Sequence, residues 1–397
     1  MKNLNPLKMT LHENLSYPRD TTIADIAAGE DVCPICARAT RDGFVDLHMV
    51  DESLRKLIQA NAPDSGDPQT ACSRCVGVFE RAKDQIIKDA AVQKDGSHVL
   101  STPLRLDADD RFTGRGVTIA FLDSGFYPHV DLTTPKNRIV AYRNIVDEDG
   151  RLDSLFRPDV ASWHGMMTSV VAAGNGSLSN GFYRGIAPDS DVVLVKLART
   201  GRISDADIEA GLKWVLENHE KYRVRIVNIS AGGDFEQSYL NDSLSKMVEN
   251  CVAAGITIVC AVGNAGHMPN HPVFPPASAP SAIAVGGLDD NNSLNRAKRG
   301  MYRSSYGPTV DGLQKPEIIA PSIWVPAPIL PNTPTAQQAE LLKKLDVAAD
   351  DDLYSIIEAN PGIDGELDAA LDRPPHSIRQ IIALKIRREN VITKHYK

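Results

Sequence analysis

The sequence predicts an α/β protein built on a mostly parallel central sheet covered on both faces, preceded by a small separate domain. Three observations predict it. Between about residues 114 and 320, short runs rich in Val and Ile alternate with amphipathic stretches. The runs are nearly continuous in hydrophobicity, as strands buried on both faces are. The first hundred residues lack this alternation and carry two Cys-x-x-Cys pairs instead.

The predicted strands, in chain order, are VTIAFLD (117–123), DVVLVKL (191–197), VRIVNIS (224–230), ITIVCAV (256–262) and AIAVGG (282–287), bounded by Gly, Pro, Asn and Asp. Helical stretches are predicted near 165–173, 204–221 and 240–254. Ser204, followed by Asp205 and Asp207, makes a good helix start, because a hydroxyl caps free amides and early carboxylates complement the dipole. Strand–helix alternation implies a parallel sheet with helices on both sides. Two further helices are predicted earlier, over 51–60 and about 76–92, the second with Val76, Phe79, Ile86, Ile87 and Ala90 at helical spacing. Residues 331–397 are polar, helical in composition and interrupted by Pro and Gly. The expected divisions are therefore 1–100, 112–330 and 331–397.

The 397 residues carry a net charge of −8, with 42 % hydrophobic and 24 % charged residues. That composition suits a globular chain able to bury a core without disulfides. The acidic balance argues against a nucleic acid or an anionic membrane as partner. The N-terminal stretch has no apolar signal-peptide core, and no run approaches the ~18–20 apolar residues that span a bilayer. The expected location is the cytoplasm.

Three polar residues stand where chemistry collects. Asp123 ends a predicted strand, and active groups gather at the carboxyl ends of parallel strands. His164 opens a predicted helix, where the dipole favours a neutral imidazole that can act as a base. Asn264 follows another strand among small residues, a setting in which its amide can stabilise an oxyanion. Taken singly, each has a plain structural reading: a turn-capping Asp, a structural His and a Gly-Asn turn.

Taken together and in order, they resemble the subtilisin-like serine proteases. The matching blocks are Asp123-Ser124-Gly125, His164-Gly165, Val227 to Gly233 (VNISAGG), Gly263-Asn264 and Lys315 to Pro321 (KPEIIAP), and PASAPSAIAVGG (276–287) is similar too. The resemblance covers about residues 112–325. It implies a subtilisin-like three-layer fold and hydrolysis of polypeptides. By that resemblance Asp123 orients His164, His164 shuttles the serine proton and Asn264 donates to the oxyanion. Ser230, Ala231, Gly232 and Gly233 would line the cleft and pair with the substrate backbone as an added strand.

Two departures stand out. The family often carries a second histidine three residues after the first; Met167 is there instead. More seriously, the family's nucleophile sits in Gly-Thr-Ser-x-Ala, and that motif is missing from this sequence. Ser322, Ser355 and Ser377 lack its small-residue surroundings, and Ser304 and Ser305 look structural. The expectation is a helical insertion over 333–392, with the serine helix following Lys397. The alternative is an inactive module that keeps the cleft and binds peptides.

Cys33-Pro34-Ile35-Cys36 and Cys72-Ser73-Arg74-Cys75 can supply four thiolates to a structural Zn²⁺, although their spacing exceeds the usual ~15–20 residues. Disulfide or redox chemistry is the alternative. His48 and His98 are spare ligand candidates. This domain could cover the cleft or recruit a partner protein, and a third reading makes it the functional end of the molecule. Cys251 and Cys260 read as core. Calcium is frequent in the family, but Asp289, Asp290, Asp350, Asp351 and Asp352 look simply solvated.

Overall fold

In the computed structural model the described residues are 31–40, 43–60, 68–88, 99–147, 150–159, 161–198, 202–233, 235–268, 273–295 and 298–397. The chain divides into two units, Met1–Gly77 and Val78–Lys397.

In the first unit β1 (Asp31–Val32) and β2 (Ala39–Thr40) form an antiparallel hairpin. Its turn is closed by Cys33 N donating to Arg38 O and Ala37 N donating to Cys33 O, both at 2.8 Å. Ala37 adopts φ +54°, the left-handed conformation that lets so short a turn reverse. β3 (Phe44–Asp46) pairs antiparallel with β4 (Thr70–Cys72), and the helix Glu52–Ala60 separates them in sequence. The helix Ser73–Lys88 starts directly after β4, three residues earlier than its apolar spacing predicted. Ala90, Val92 and His98 lie outside the described residues. Ile35, Leu47, Leu54, Ile58 and Ala71 are buried and give this unit its own small core.

The second unit is organised by an eight-stranded sheet. Its strands are β5 (Thr118–Asp123), β6 (Ile139–Asn144), β7 (Asp191–Lys196), β8 (Val224–Ile229), β9 (Thr257–Ala261), β10 (Ile283–Asp289), β11 (Gly300–Met301) and, after a small hairpin of β12 (Gly307–Pro308) and β13 (Gln314–Lys315), β14 (Ile318–Pro321). The order is β11-β10-β9-β8-β5-β7-β6, with β14 paired to β10. Every pairing is parallel except β10 with β11. All five predicted strands form within a residue or two of their expected ends.

Alternation along the strands builds two apolar layers. Ala120, Leu122, Val193, Val195, Val227, Ile229, Ile258 and Cys260 face one way and pack with Ile208, Leu212 and Val215 of the helix Asp205–Tyr222 and with Leu244, Val248 and Cys251 of the helix Ser243–Ala253. Ile119, Phe121, Val192 and Leu194 face the other way, against Met166, Val170 and Ala173 of the helix Ser162–Ala173. Each fully buried branched side chain contributes about 1.5–3 kcal/mol. Burial raises the Cys251 thiol to about 11 and the Cys260 thiol to about 12, so both are inert core groups as expected. Ser204 and Asp207 cap the helix Asp205–Tyr222 reciprocally, hydroxyl to amide (3.2 Å) and carboxylate to amide (3.0 Å).

Residues 334–388 form helices with a core of their own, in which Leu342, Leu345, Leu353, Leu367, Ile378 and Ile382 are buried. The two ends of this segment meet. Lys397 N donates to Ala327 O and Ala327 N to Lys397 O, both at 2.9 Å, and Ile329 N donates to His395 O at 2.8 Å. The chain therefore leaves and returns at one place. Tyr396 is fully buried and its hydroxyl donates to Asp131. Among the described residues no helix is long and apolar enough to cross a membrane.

One expectation fails here. Asp290 is not solvated: it is 2 % exposed and pairs with the buried Arg105, whose Nε also holds Leu100 O at 3.0 Å. Asp350 pairs with Arg379 at 2.9 Å but keeps its side chain 61 % exposed, as expected.

Candidate active site and cysteine cluster

Asp123 is the last residue of β5 and is 1 % exposed. A buried carboxylate needs compensation, and it has three donors. His164 Nδ1 lies 2.7 Å from Oδ1. Ser124 gives its amide to the same oxygen at 2.7 Å. Thr168 Oγ1 donates to Oδ2 at 3.0 Å. Thr168 was not singled out in the sequence, yet it stands four residues after His164, on the same helical face.

His164 is the third residue of the helix Ser162–Ala173, and its side chain is 31 % exposed. The helix start was expected to favour a neutral ring. Instead the hydrogen bond to Asp123 raises its pKa above the ordinary imidazole value, against the opposing effect of burial. A carboxylate in direct contact outweighs a partial dipole charge. The bond also fixes the tautomer, with the proton on Nδ1 and the lone pair on Nε2. Among the described residues Nε2 takes no hydrogen bond. Trp163, half exposed, lies edge-on to the imidazole with centroids 5.2 Å apart.

Glycines allow this approach. A Cβ on Gly165 would meet Gly125 O at 2.1 Å, and one on Gly125 would meet Ser162 Cα at 3.2 Å. The Gly of each block is therefore where the helix and the strand-end loop touch.

Register puts the other predicted residues on the same edge. Leu122 pairs with Ile229, and Ile229 with Cys260, so the chain beyond β5, β8 and β9 emerges together. Ser230 follows β8 directly and its Oγ accepts from Asn228 Nδ2 at 3.0 Å. Gly233 N donates to Pro275 O at 2.7 Å. Asn264 follows β9 on an exposed loop, after Gly263 at φ +102°. Ser305 Oγ accepts from Ala265 N (3.2 Å) and Ser304 Oγ from Gly287 N (2.5 Å), so both serines brace this loop and the neighbouring strand. Ser322 Oγ is bonded to Leu288 O (3.2 Å) and Ser355 Oγ to Asp352 O (2.9 Å). Ser377 lies in the first turn of the helix Pro375–Arg388.

The four cysteines of the first unit converge. Their Sγ atoms all lie within 4.8 Å of one another, with Cys33–Cys75 and Cys36–Cys72 at 3.9 Å. All four are buried. The hairpin turn carries Cys33 and Cys36; Cys72 ends β4 and Cys75 sits in the first helical turn. Cys72 N donates to Cys33 Sγ at 3.3 Å, and bonds from the other three sulfurs push the Cys33 thiol down. Among the described residues these four are the group of His, Cys, Asp and Glu ligand atoms close enough to hold an ion. His48 is not among them; its ring is engaged by Gln69 and Arg55.

The sequence aligns with Serine protease AprX of Bacillus subtilis (strain 168), 34 % identical over 231 residues, covering 56 % of this chain and 49 % of that protein. The Major intracellular serine protease of the same organism is 29 % identical over 187 residues, covering 46 % of this chain and 54 % of that one. The chain thus spans about half the length of these curated relatives. A solved cold adapted subtilisin-like serine proteinase is 23 % identical, with a TM-score of 0.39 over 55 % of this chain and 67 % of its own. A sequence model described as Subtilase family matches residues 114–343, more than half the chain and the whole stretch that carries Asp123, His164 and Asn264, and the protein belongs to that family.

Proposed function

We propose that this chain supplies most of the catalytic apparatus of a serine endopeptidase acting on polypeptides. The observation that carries the reading is the 2.7 Å bond between Asp123 and His164 at the carboxyl edge of a parallel sheet. Asp123 holds the imidazole and stabilises its protonated form. His164 Nε2 takes the proton of a serine hydroxyl and returns it to the leaving amine. Asn264 donates to the oxyanion of the tetrahedral intermediate. Ser230 to Gly232 pair with the substrate backbone.

The serine belongs to a Gly-Thr-Ser-x-Ala helix that is not among these residues. Uneven cover of the sheet supports this. On β8, β9 and β10 the residues facing away from the helices Asp205–Tyr222 and Ser243–Ala253 are Ile226, Asn228, Val259, Ile283 and Val285, all only half buried. A parallel sheet is stable with both faces covered. A helix laid antiparallel to these strands would put its N-terminus at the edge that holds His164 and Asn264.

The deciding experiment uses the protein with that helix present, assayed on an unstructured polypeptide and with a fluorophosphonate probe. Hydrolysis and labelling are expected, with His164→Ala losing about four to six orders of magnitude in kcat. Undiminished hydrolysis by His164→Ala would overturn the mechanism. A second reading, a peptide-binding module without catalysis, is favoured by the bonding of Ser322 and Ser355 to local carbonyls. An absence of labelling in the same experiment would select it.

For the first unit the reading is a structural Zn²⁺ held by Cys33, Cys36, Cys72 and Cys75. Four thiolates at about 2.3 Å from zinc stand roughly 3.8 Å apart in a tetrahedron, and two of the pairs here are 3.9 Å apart with all four sulfurs within 4.8 Å. A disulfide would need about 2.05 Å. Bound zinc would hold the hairpin turn to the strand–helix junction, and this unit would then recruit a partner protein. A relative named as intracellular agrees with a cytoplasmic location, and another is named as extracellular.

A further inference from the structure

The turn that delivers His164 is tied to two strand ends. Ser124 Oγ donates to Ala161 O at 2.9 Å, fixing the turn to the end of β5. Asp159 fixes it to β7. Its Oδ1 accepts from Ala161 N (2.9 Å) and Ser162 Oγ (3.2 Å), while Oδ2 accepts from Lys196 Nζ (2.5 Å). Lys196 ends β7 and is the register partner of Asp123 itself. An ion pair therefore runs from the strand beside the catalytic carboxylate to the turn just ahead of the helix Ser162–Ala173. The Lys196 side chain is 17 % exposed and that of Asp159 41 %, so water screens the pair only in part. Burial alone would raise the Asp159 carboxyl, yet the bonds from Lys196 and Ala161 hold it below its ordinary value. The helix carries no Asp, Glu, Lys or Arg, so none of its own charges can fix where it starts.

We propose that Asp159 and Lys196 are positioning residues for His164: their ion pair sets the start of the helix and keeps the imidazole on Asp123. This rests on reading Asp123 and His164 as the catalytic pair, but not on where the nucleophile lies. The charged group that acts on the ring directly is Asp123 on β5; Asp159 on the turn and Lys196 on β7 reach it through the start of the helix.

Charge and position act in opposite directions, which makes a test sharp. Removing the ammonium by Lys196→Met would raise the His164 pKa through charge alone. Loosening the turn would lower it, because the ring would lose Asp123. Proton NMR of the 397-residue chain reads both the His164 titration and the downfield Nδ1–H signal of the imidazole–carboxylate bond. The expected result for Lys196→Met is a lower His164 pKa and loss of that signal, with Lys196→Arg restoring both. Asp159→Asn, which keeps an oxygen for Ala161 N, serves where Lys196→Met does not fold and is read on the Nδ1–H signal, which it should abolish, because loss of a carboxylate would by itself lower the pKa. An unchanged or raised pKa with the signal retained in Lys196→Met, or the signal retained in Asp159→Asn, overturns the proposal. In the protein bearing the serine helix, the same variants lower kcat about tenfold with little change in KM, as a misplaced base does. If that protein hydrolyses nothing, the endopeptidase reading falls, while the NMR result still decides the positioning role.

Discussion

The carbonyl oxygen of Gly125 lies 2.1 Å from the point where a Cβ on Gly165 would stand. No real Cβ tolerates that distance, so Gly165→Ala must push the helix away from the strand-end loop. The expected cost is about 1–3 kcal/mol in urea unfolding, the range for overpacking a close contact. The imidazole should move off Asp123 at the same time and lose its downfield proton signal. Gly300→Ala is the control: nothing lies within 4 Å of its added Cβ, and its effect should stay within about 0.5 kcal/mol.

The raised pKa of His164 links the site to pH. The ring binds its proton more tightly in the folded state than in the unfolded chain, where the reference value is 6.5. The stability this confers is fully present below about pH 6.5 and is lost as pH rises through the folded value. Asp123→Asn removes the first cause of the shift and leaves burial, which acts the other way. Unfolding midpoints of the native chain should therefore fall from pH 6 to pH 9 by more than those of Asp123→Asn. Equal falls would show that the bond does not bias the proton. In the active protein the base must be neutral, so kcat/KM should rise with pH through the same titration.

Much of this arrangement was readable in the sequence, for identifiable reasons. β5 and β7 are buried on both faces, and β8, β9 and β10 carry apolar residues on their half-covered face as well, so all five gave nearly continuous apolar runs. β6 was missed because it lies at the sheet edge and carries Val140 exposed, with Arg143 and Asn144 at its end. β14 was hidden inside a motif, Lys315 to Pro321, whose Ile318 and Ile319 are exposed. Asp123 and His164 could be named from their blocks, but Thr168, Asp159 and Lys196 act through three-dimensional neighbours that no spacing announces. The meeting of 327–329 with 395–397 is equally invisible, since nothing local pairs residues so far apart in sequence.

The cysteine cluster gives a prediction that does not depend on catalysis. The purified chain should carry about one zinc, and Cys75→Ser should abolish it, because three thiolates and a buried hydroxyl are a poor tetrahedral set. Cys251→Ser should leave the metal in place, since Cys251 Sγ lies in the sheet–helix core beside Leu212 O. Elemental analysis of the two variants separates the roles. Metal lost in neither, or in both, would contradict the assignment.

Tyr396 offers the last test, because its hydroxyl joins the end of the helical segment to Asp131 in the short helix Val130–Thr133. Its hydroxyl donates to Asp131, whose carboxylate is fully buried and also accepts from Leu178 N at 3.1 Å. Its ring packs against Tyr183 with centroids 5.3 Å apart. Tyr396→Phe keeps the ring and removes only the donor, leaving a buried carboxylate short of one hydrogen bond. Such a loss costs about 1–3 kcal/mol, and urea unfolding should show it. Tyr396→Phe with Asp131→Asn then isolates the pair. If the hydroxyl–carboxylate bond anchors residues 395–397, the second change should recover part of the loss, because a neutral amide is less costly to bury than an under-bonded charge. Simple addition of the two losses would mean that ring packing against Tyr183, rather than the hydrogen bond, holds residues 395–397 in place.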